Sequence, residues 1–256
     1  MFQTLRSCFL FWKNSSNEHG VHSPFVFDLV TKCFYNKSKS GYFSFYKEVL
    51  HCINELKKTD NNSNFSKKSK EIKGCRCEEL KQITSVKKKN VLLLMRLTQY
   101  LKVESILELG TSCGKITTCL AKVNPNAKID TIESCIESAR LAKSQFKNFK
   151  LNNVNLVVGE FSENLPDIIK EKKYDFIYFN NRHHKKLILS YFYLCLASVH
   201  NDTVFVINGI HRSKETESAW EEIKLDRKVK VTIDTFHFGM VFFRREQVKE
   251  HFVIRV

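Results

Sequence analysis

Glycine is scarce in this chain, with eight among 256 residues, and proline scarcer still, with three. That shortage excludes collagen-like and Gly/Pro-rich low-complexity architectures. Long hydrophobic runs are missing. The apolar stretch Phe9 to Trp12 has charges close on both sides and is too short for a signal h-region or a membrane span. Zinc-ligand spacing is missing too. Cys75 and Cys77 stand one residue apart, and no second Cys or His pair accompanies them. The nine cysteines are odd in number and follow no secretory signal, so they read as reduced, mostly buried thiols of a cytoplasmic protein. Acids are short as well: 27 Asp and Glu face 42 Lys and Arg, leaving a net charge of +15.

What is present is a globular composition, 43% apolar and 12% aromatic. Between Lys57 and Lys89 stand eleven Lys or Arg and four acids, a net +7. Such a run attracts nucleic acid, anionic lipid or an anionic substrate, or is simply a solvated loop. Apart from Phe65, aromatics do not interleave with it for base stacking. Residues 1–56 are rich in aromatics, and Ser23-Pro24 reads as the N-cap and first residue of a helix reaching about Phe34. A second helix is expected over Tyr46–Leu56 and a polar loop over 59–74. These aromatics exceed what two short helices bury, so they pack on the rest of the chain or join two copies in a homodimer.

After a helix expected over Lys88–Leu101, strands and helices alternate. Strands are expected over Ser105–Leu109, Lys128–Ile132, Asn155–Val158, Tyr174–Phe179 and Thr203–Ile207, each followed by a helix. The tail gives two strands, Val229–Asp234 and Gly239–Arg244, with no helix between. Repeated β-α units make an α/β fold, a mostly parallel seven-stranded sheet with helices on both faces and a terminal antiparallel hairpin. Residues 1–88 read as a helical N-terminal extension and 89–256 as the ligand-binding domain.

Two of the few glycines, Gly110 and Gly114, fall just after the first strand, where a tight turn lets backbone approach a ligand. A dinucleotide site wants G-x-G-x-x-G, but position 112 is Ser, and Glu108 would carry a negative charge towards a pyrophosphate. That charge suits an ammonium, as on S-adenosylmethionine, which has no phosphate. Glu133 ends the second strand, where an acid accepts ribose hydroxyls, and Ser134 follows it. Gly159-Glu160-Phe161 ends the third and would border an adenine. Candidate cofactor residues are thus Glu108, Gly110, Thr111, Ser112, Gly114, Glu133, Ser134, Gly159, Glu160, Phe161 and Asn180.

Three stretches carry a family likeness over nearly the whole chain: His19-Gly20-Val21-His22-Ser23-Pro24-Phe25, the turn ILELGTSCG, and FGMVFFRREQVKEHFVIR near the C-terminus. The chain resembles the class I S-adenosylmethionine-dependent methyltransferases, within them a bacterial O-methyltransferase-like branch related to catechol and caffeoyl-CoA methyltransferases. The resemblance implies S-adenosylmethionine as cofactor and a small-molecule acceptor. In its metal-dependent members, acids at the ends of the fourth and fifth strands hold Mg²⁺. Here the matching residues are Asn180 and Asn208-Gly209, a poor donor set for a hard cation, so no metal is expected. A Gly-rich segment of the family reads Asp60-Asn61-Asn62-Ser63-Asn64-Phe65.

The loops after the fourth and fifth strands offer His183 and His211 as bases, Asn180 and Asn208 as polar partners, and Arg182 and Arg212 for an anionic acceptor. Two alternatives remain open. One is an RNA methyltransferase using the basic segment 57–89, although the loop after the fourth strand lacks an Asn-Pro-Pro-aromatic stretch. The other is a catalytically degenerate binding protein, suggested by the missing acids.

Overall fold

The computed structural model describes residues 2–36, 41–62, 86–170, 172–180 and 184–256. The polar loop from residue 63 on, most of the basic run, and Arg182 and His183 lie outside them.

The strand Ser105–Leu109 (β1) lies at the centre of the sheet. Its side chains alternate, so Leu107 and Leu109 enter one core while Ile106 enters the other. Parallel strands flank it: Lys128–Glu133 (β2) and Val154–Val158 (β3) on one side, Phe176–Phe179 (β4) and Val204–Asn208 (β5) on the other. Val231–Asp234 (β6) and Phe238–Phe242 (β7) form the expected hairpin, with β7 antiparallel to β5. The class of fold is the one the sequence implied. The strand count is larger by one: Glu250–Val253 (β8) pairs parallel with β6, giving among the described residues an eight-stranded sheet of order β3-β2-β1-β4-β5-β7-β6-β8. This edge strand has four residues and a broken burial pattern, which gives it little sequence signal.

Helices cover both faces. On one side stand Pro24–Leu29 (α2), Gly41–Asn62 (α3), Lys88–Tyr100 (α4), Lys115–Val123 (α5) and Ile136–Asn148 (α6). On the other stand Phe161–Ile169 (α7), Lys185–Cys195 (α8) and Lys214–Leu225 (α9). α2 begins as expected, with Ser23 Oγ accepting from the Val26 N–H, but it passes into a π-helical turn, Val30–Phe34. α3 runs past the expected end at Leu56 to Asn62, into the stretch read as loop. The N-terminal aromatics pack on the sheet: Phe25 lies edge-on to Phe242, and Phe45 to Phe149. Val26, Val49, Ile53 and Leu94 share one core with β1, β4 and β5. Each such buried side chain contributes about 1.5–3 kcal/mol.

The N-terminal helix Phe2–Asn14 (α1) leads to Ser16, which bridges to Ile254 just beyond β8. The Ser16 N–H donates to the Val253 carbonyl at 2.9 Å, and the Arg255 N–H donates to the Ser16 carbonyl at 3.1 Å. Among the described residues, no helix is long and apolar enough to cross a membrane.

Candidate active site

From β1 the chain crosses over to β2 on one side, and later enters β4 on the other. The carboxyl ends of β1 and β4 therefore form a switch point, where open α/β sheets bind ligands. The turn Gly110–Gly114 closes this end. Gly110 has φ 101° and Gly114 φ 77°, a region that favours glycine, and Ser112 between them is also left-handed at φ 55°. Gly110 and Thr111 donate their N–H groups to the Ile132 carbonyl, which ties the turn to β2.

Glu133 completes that tie. Its Oε2 accepts from the Ser112 N–H at 2.6 Å and its Oε1 from the Cys135 N–H at 2.9 Å. A carboxylate oxygen has two lone pairs, so each can accept a further hydroxyl. Ser134 beside it is exposed. Ile136, the first residue of α6, is 70% exposed and offers an apolar surface next to Glu133. The sequence reading missed it; an isoleucine with no core role three residues after a strand end was the available signal.

Asn180 joins three strand ends. Its backbone N–H donates to the Leu109 carbonyl at 2.9 Å, and its Nδ2 donates to the Gly110 carbonyl at 2.8 Å. Its Oδ1 accepts from Tyr178 Oη at 3.3 Å and from Asn208 Nδ2 at 3.4 Å. Beside them the guanidinium of Arg212 lies against Gly209, so close that a Cβ there would stand 2.7 Å from Nη2. Arg212 itself is exposed.

Several expected roles change. Glu108 was read as a negative charge carried into the turn to meet an ammonium; instead it is fully buried beneath α5. Its Oε2 accepts from Thr117 and Thr131, and Oε1 has no partner. Desolvation pushes this carboxyl up to about 8, against the two hydroxyl hydrogen bonds, so it is mostly uncharged at neutral pH. It supports the turn from below. Phe161 was expected beside an adenine, but α7 starts there and its ring packs edge-on to Tyr191 at 4% exposure. Gly159 and Glu160 remain at the end of β3, Glu160 exposed as the N-cap.

His211 was expected as a base. Its Nε2 pairs with Asp234 at 2.6 Å and its Nδ1 with Glu217 at 3.0 Å, while its ring stacks on Phe236. Burial opposes the imidazolium, but the hydrogen bonds and charges of Asp234 and Glu217 outweigh it and raise the pKa. Two carboxylates that favour the protonated imidazole, and occupy both ring nitrogens, suit His211 poorly to accept a proton from a ligand. Neighbouring His184 is exposed and pairs with Glu215, bridging α8 to α9. Cys135, next to the Glu133 loop, is disulfide-bonded, contrary to the reduced thiol expected, while six other described cysteines are in the thiol form.

This strand order and the turn tied to β2 and β4 define a class I methyltransferase fold. A methyltransferase domain family model matches residues 101–232, and the chain belongs to that family. No curated protein matches the chain significantly. Among solved structures it is similar to the O-methyltransferase from Bacillus cereus in complex with S-adenosylhomocysteine: 21% identity, TM-score 0.54, covering 68% of this chain and 94% of that one. It is similar to the O-methyltransferase TomG from Streptomyces achromogenes, involved in tomaymycin synthesis and solved with S-adenosylmethionine: 18% identity, TM-score 0.53, covering 62% and 81%. A third likeness, to cofactor-bound Rv0187 from MTB, covers 86% of this chain and 95% of that one at 13% identity and TM-score 0.58.

Proposed function

We propose that this chain is an S-adenosylmethionine-dependent methyltransferase that methylates a small anionic acceptor without a metal ion. The observation that carries the reading is the Gly110–Gly114 turn at the switch point, tied by backbone N–H groups and Glu133 to β2 and by Asn180 to β4. Family membership and the similar structures solved with S-adenosylmethionine or S-adenosylhomocysteine support it.

The residues fit the cofactor. Glu133 would accept the ribose hydroxyls, Ile136 and Ser134 would flank the nucleoside, and the turn residues Gly110, Thr111, Ser112 and Gly114 would face the amino-acid moiety. When bound, S-adenosylmethionine supplies a methyl already activated on a sulfonium. The protein aligns the acceptor for in-line attack and excludes water. An acceptor that arrives ionised needs no base, which suits a site whose His211 is already held between two carboxylates. Arg212, fixed on Gly209 beside Asn180 and Asn208, is placed to hold its negative charge. Asn180 and Asn208 spend their amides on each other and on Gly110, and carry no charge for a hard cation.

The test has two arms. Calorimetry should show binding of S-adenosylhomocysteine; no binding removes the reading and leaves a degenerate fold. A labelled-methyl screen over phenolic carboxylates, catechols, acyl thioesters and RNA should then find transfer to a small anion, unchanged by EDTA. Transfer that requires Mg²⁺, or that goes only to RNA, would overturn the acceptor and metal parts of the proposal.

A further inference from the structure

The two faces of α1 differ. Its inner face docks on the ligand-side rim of the sheet. Ser7 Oγ donates to Glu217, and Phe11 lies edge-on to both His211 and Phe236. His211 and Phe236 follow the C-terminal ends of β5 and β6, and Glu217 lies in the first turn of α9. Among the described residues its outer face is largely uncovered, apart from the Arg255 guanidinium, which lies over the Trp12 ring at 5.2 Å. Leu5 is 61% exposed, Phe9 70% and Trp12 62%, and the spacing i, i+4, i+7 aligns them in one stripe, with Leu10 at 44% nearby. Exposed Arg6 and Lys13, seven residues apart, line one flank of the stripe. The helix FQTLRSCFLFWKN carries no acid.

A soluble surface rarely gives so many large apolar side chains to a single helix face without a partner. We propose that α1 is an interfacial helix that lays the Leu5–Phe9–Trp12 stripe into an anionic lipid surface. Charge favours this occupant. The helix offers only cations, and the chain as a whole carries +15, which attracts anionic headgroups and repels a second copy of itself. Area agrees. A 13-residue helix presents a strip about 20 Å long and about 10 Å wide, about 200 Å². A stable dimer buries about 800 Å² on each partner. For an interfacial helix the same strip is sufficient, since apolar insertion and headgroup attraction add. Trp and Phe on the apolar face with Arg and Lys beside it is the composition such helices use. The homodimer expected from the aromatic N-terminus is the competing occupant.

Docked this way, the rim at β5 and β6 faces the bilayer. The inference goes beyond the proposed activity and assumes no catalysis.

The experiment is flotation of the full chain with vesicles. Wild type should float with phosphatidylglycerol and phosphatidylcholine in equal parts, be released by high salt, and stay behind with phosphatidylcholine alone. The chain has two tryptophans, and Trp220 is 3% exposed, so a blue shift on vesicle addition reports Trp12. A Phe9→Ser, Trp12→Ser double variant, changed only at exposed positions, should keep its circular dichroism and lose vesicle affinity on the order of a hundredfold. Arg6→Glu with Lys13→Glu should lose the preference for anionic vesicles. Failure of wild type to float, or flotation unaffected by either variant, overturns the proposal. So does a dimer in light scattering that the Phe9→Ser, Trp12→Ser variant dissolves, because the stripe then belongs to a second copy.

Discussion

The backbone N–H of Ser112 donates to Glu133 Oε2 at 2.6 Å, across twenty-one residues of chain. One carboxylate thereby fixes the left-handed turn after β1 and remains at the mouth of the site. Glu133→Ala should lose about 1.5–3 kcal/mol of stability, the usual worth of a hydrogen bond to a charged group. It should also weaken S-adenosylhomocysteine binding at least about tenfold. Glu133→Gln, which keeps one acceptor oxygen, should lose less of both. Calorimetry and thermal unfolding read the two effects, and unchanged affinity in Glu133→Ala would remove Glu133 from the site.

Glu108 should make the fold weaken as pH rises. Its folded pKa of about 8 lies above the ordinary 4.5, so the folded state binds an extra proton between those values. The stability linked to that proton is full below about pH 4.5, falls by about 1.4 kcal/mol per pH unit above it, and is lost through about pH 8. Glu108→Gln keeps the shape and removes the titration. The melting temperatures of wild type and variant should diverge steadily from pH 5 to 8, the variant being the more stable at the alkaline end. Parallel curves would contradict the buried, neutral carboxyl.

His211 makes a separate pH-dependent contact. Its raised pKa means that the ion pairs with Asp234 and Glu217 stabilise the fold fully below 6.5 and fade as pH rises through the raised value. His237, the other titratable group near it, is pushed down to about 4 by burial, by Lys87 and Lys89, and by His211 itself, so it stays neutral through that range. Because Ser7 and Phe11 rest on this cluster, the protection of α1 amides, taken relative to their intrinsic exchange rate at each pH, should fall on the alkaline side. In His211→Phe that protection should not change with pH. A wild-type profile that is flat would refute the coupling.

Gly114→Ala should be costly. The backbone there is at φ 77°, and a Cβ would stand 2.8 Å from Phe146 Cε1 and 3.2 Å from Ala142 Cβ on α6. Strain and overpacking together predict a loss of about 2–4 kcal/mol in urea unfolding. A loss under about 0.5 kcal/mol, the scale of an ordinary surface change, would show that the turn relaxes freely.

The strands were legible because β4 and β5 are apolar runs and each of the strands β1 to β5 ends at or just before a glycine or polar residue. β1 lies over Ser105–Leu109, as its sequence predicts. The glycine spacing after β1 was equally clear. The misreadings concern residues whose surroundings come from distant chain. Glu108 looks like a site acid until Thr117 and Thr131 enclose it. His211 looks like a loop base until Asp234, on another strand, reaches its ring. Phe161 reads as loop because the start of α7 has no Ser, Thr, Asp or Asn cap to announce it. No local pattern distinguishes these outcomes, since each is decided by packing between elements far apart in sequence.

The bridge from Ser16 to Ile254 also sets the order in which the molecule can be completed. α1 is made before the other described elements, yet the strand end that anchors its tail is made after them. Contacts of such long sequence separation form late. Until β8 has been made, the nascent chain therefore carries an undocked, apolar, basic helix, and the rim of the site stays open.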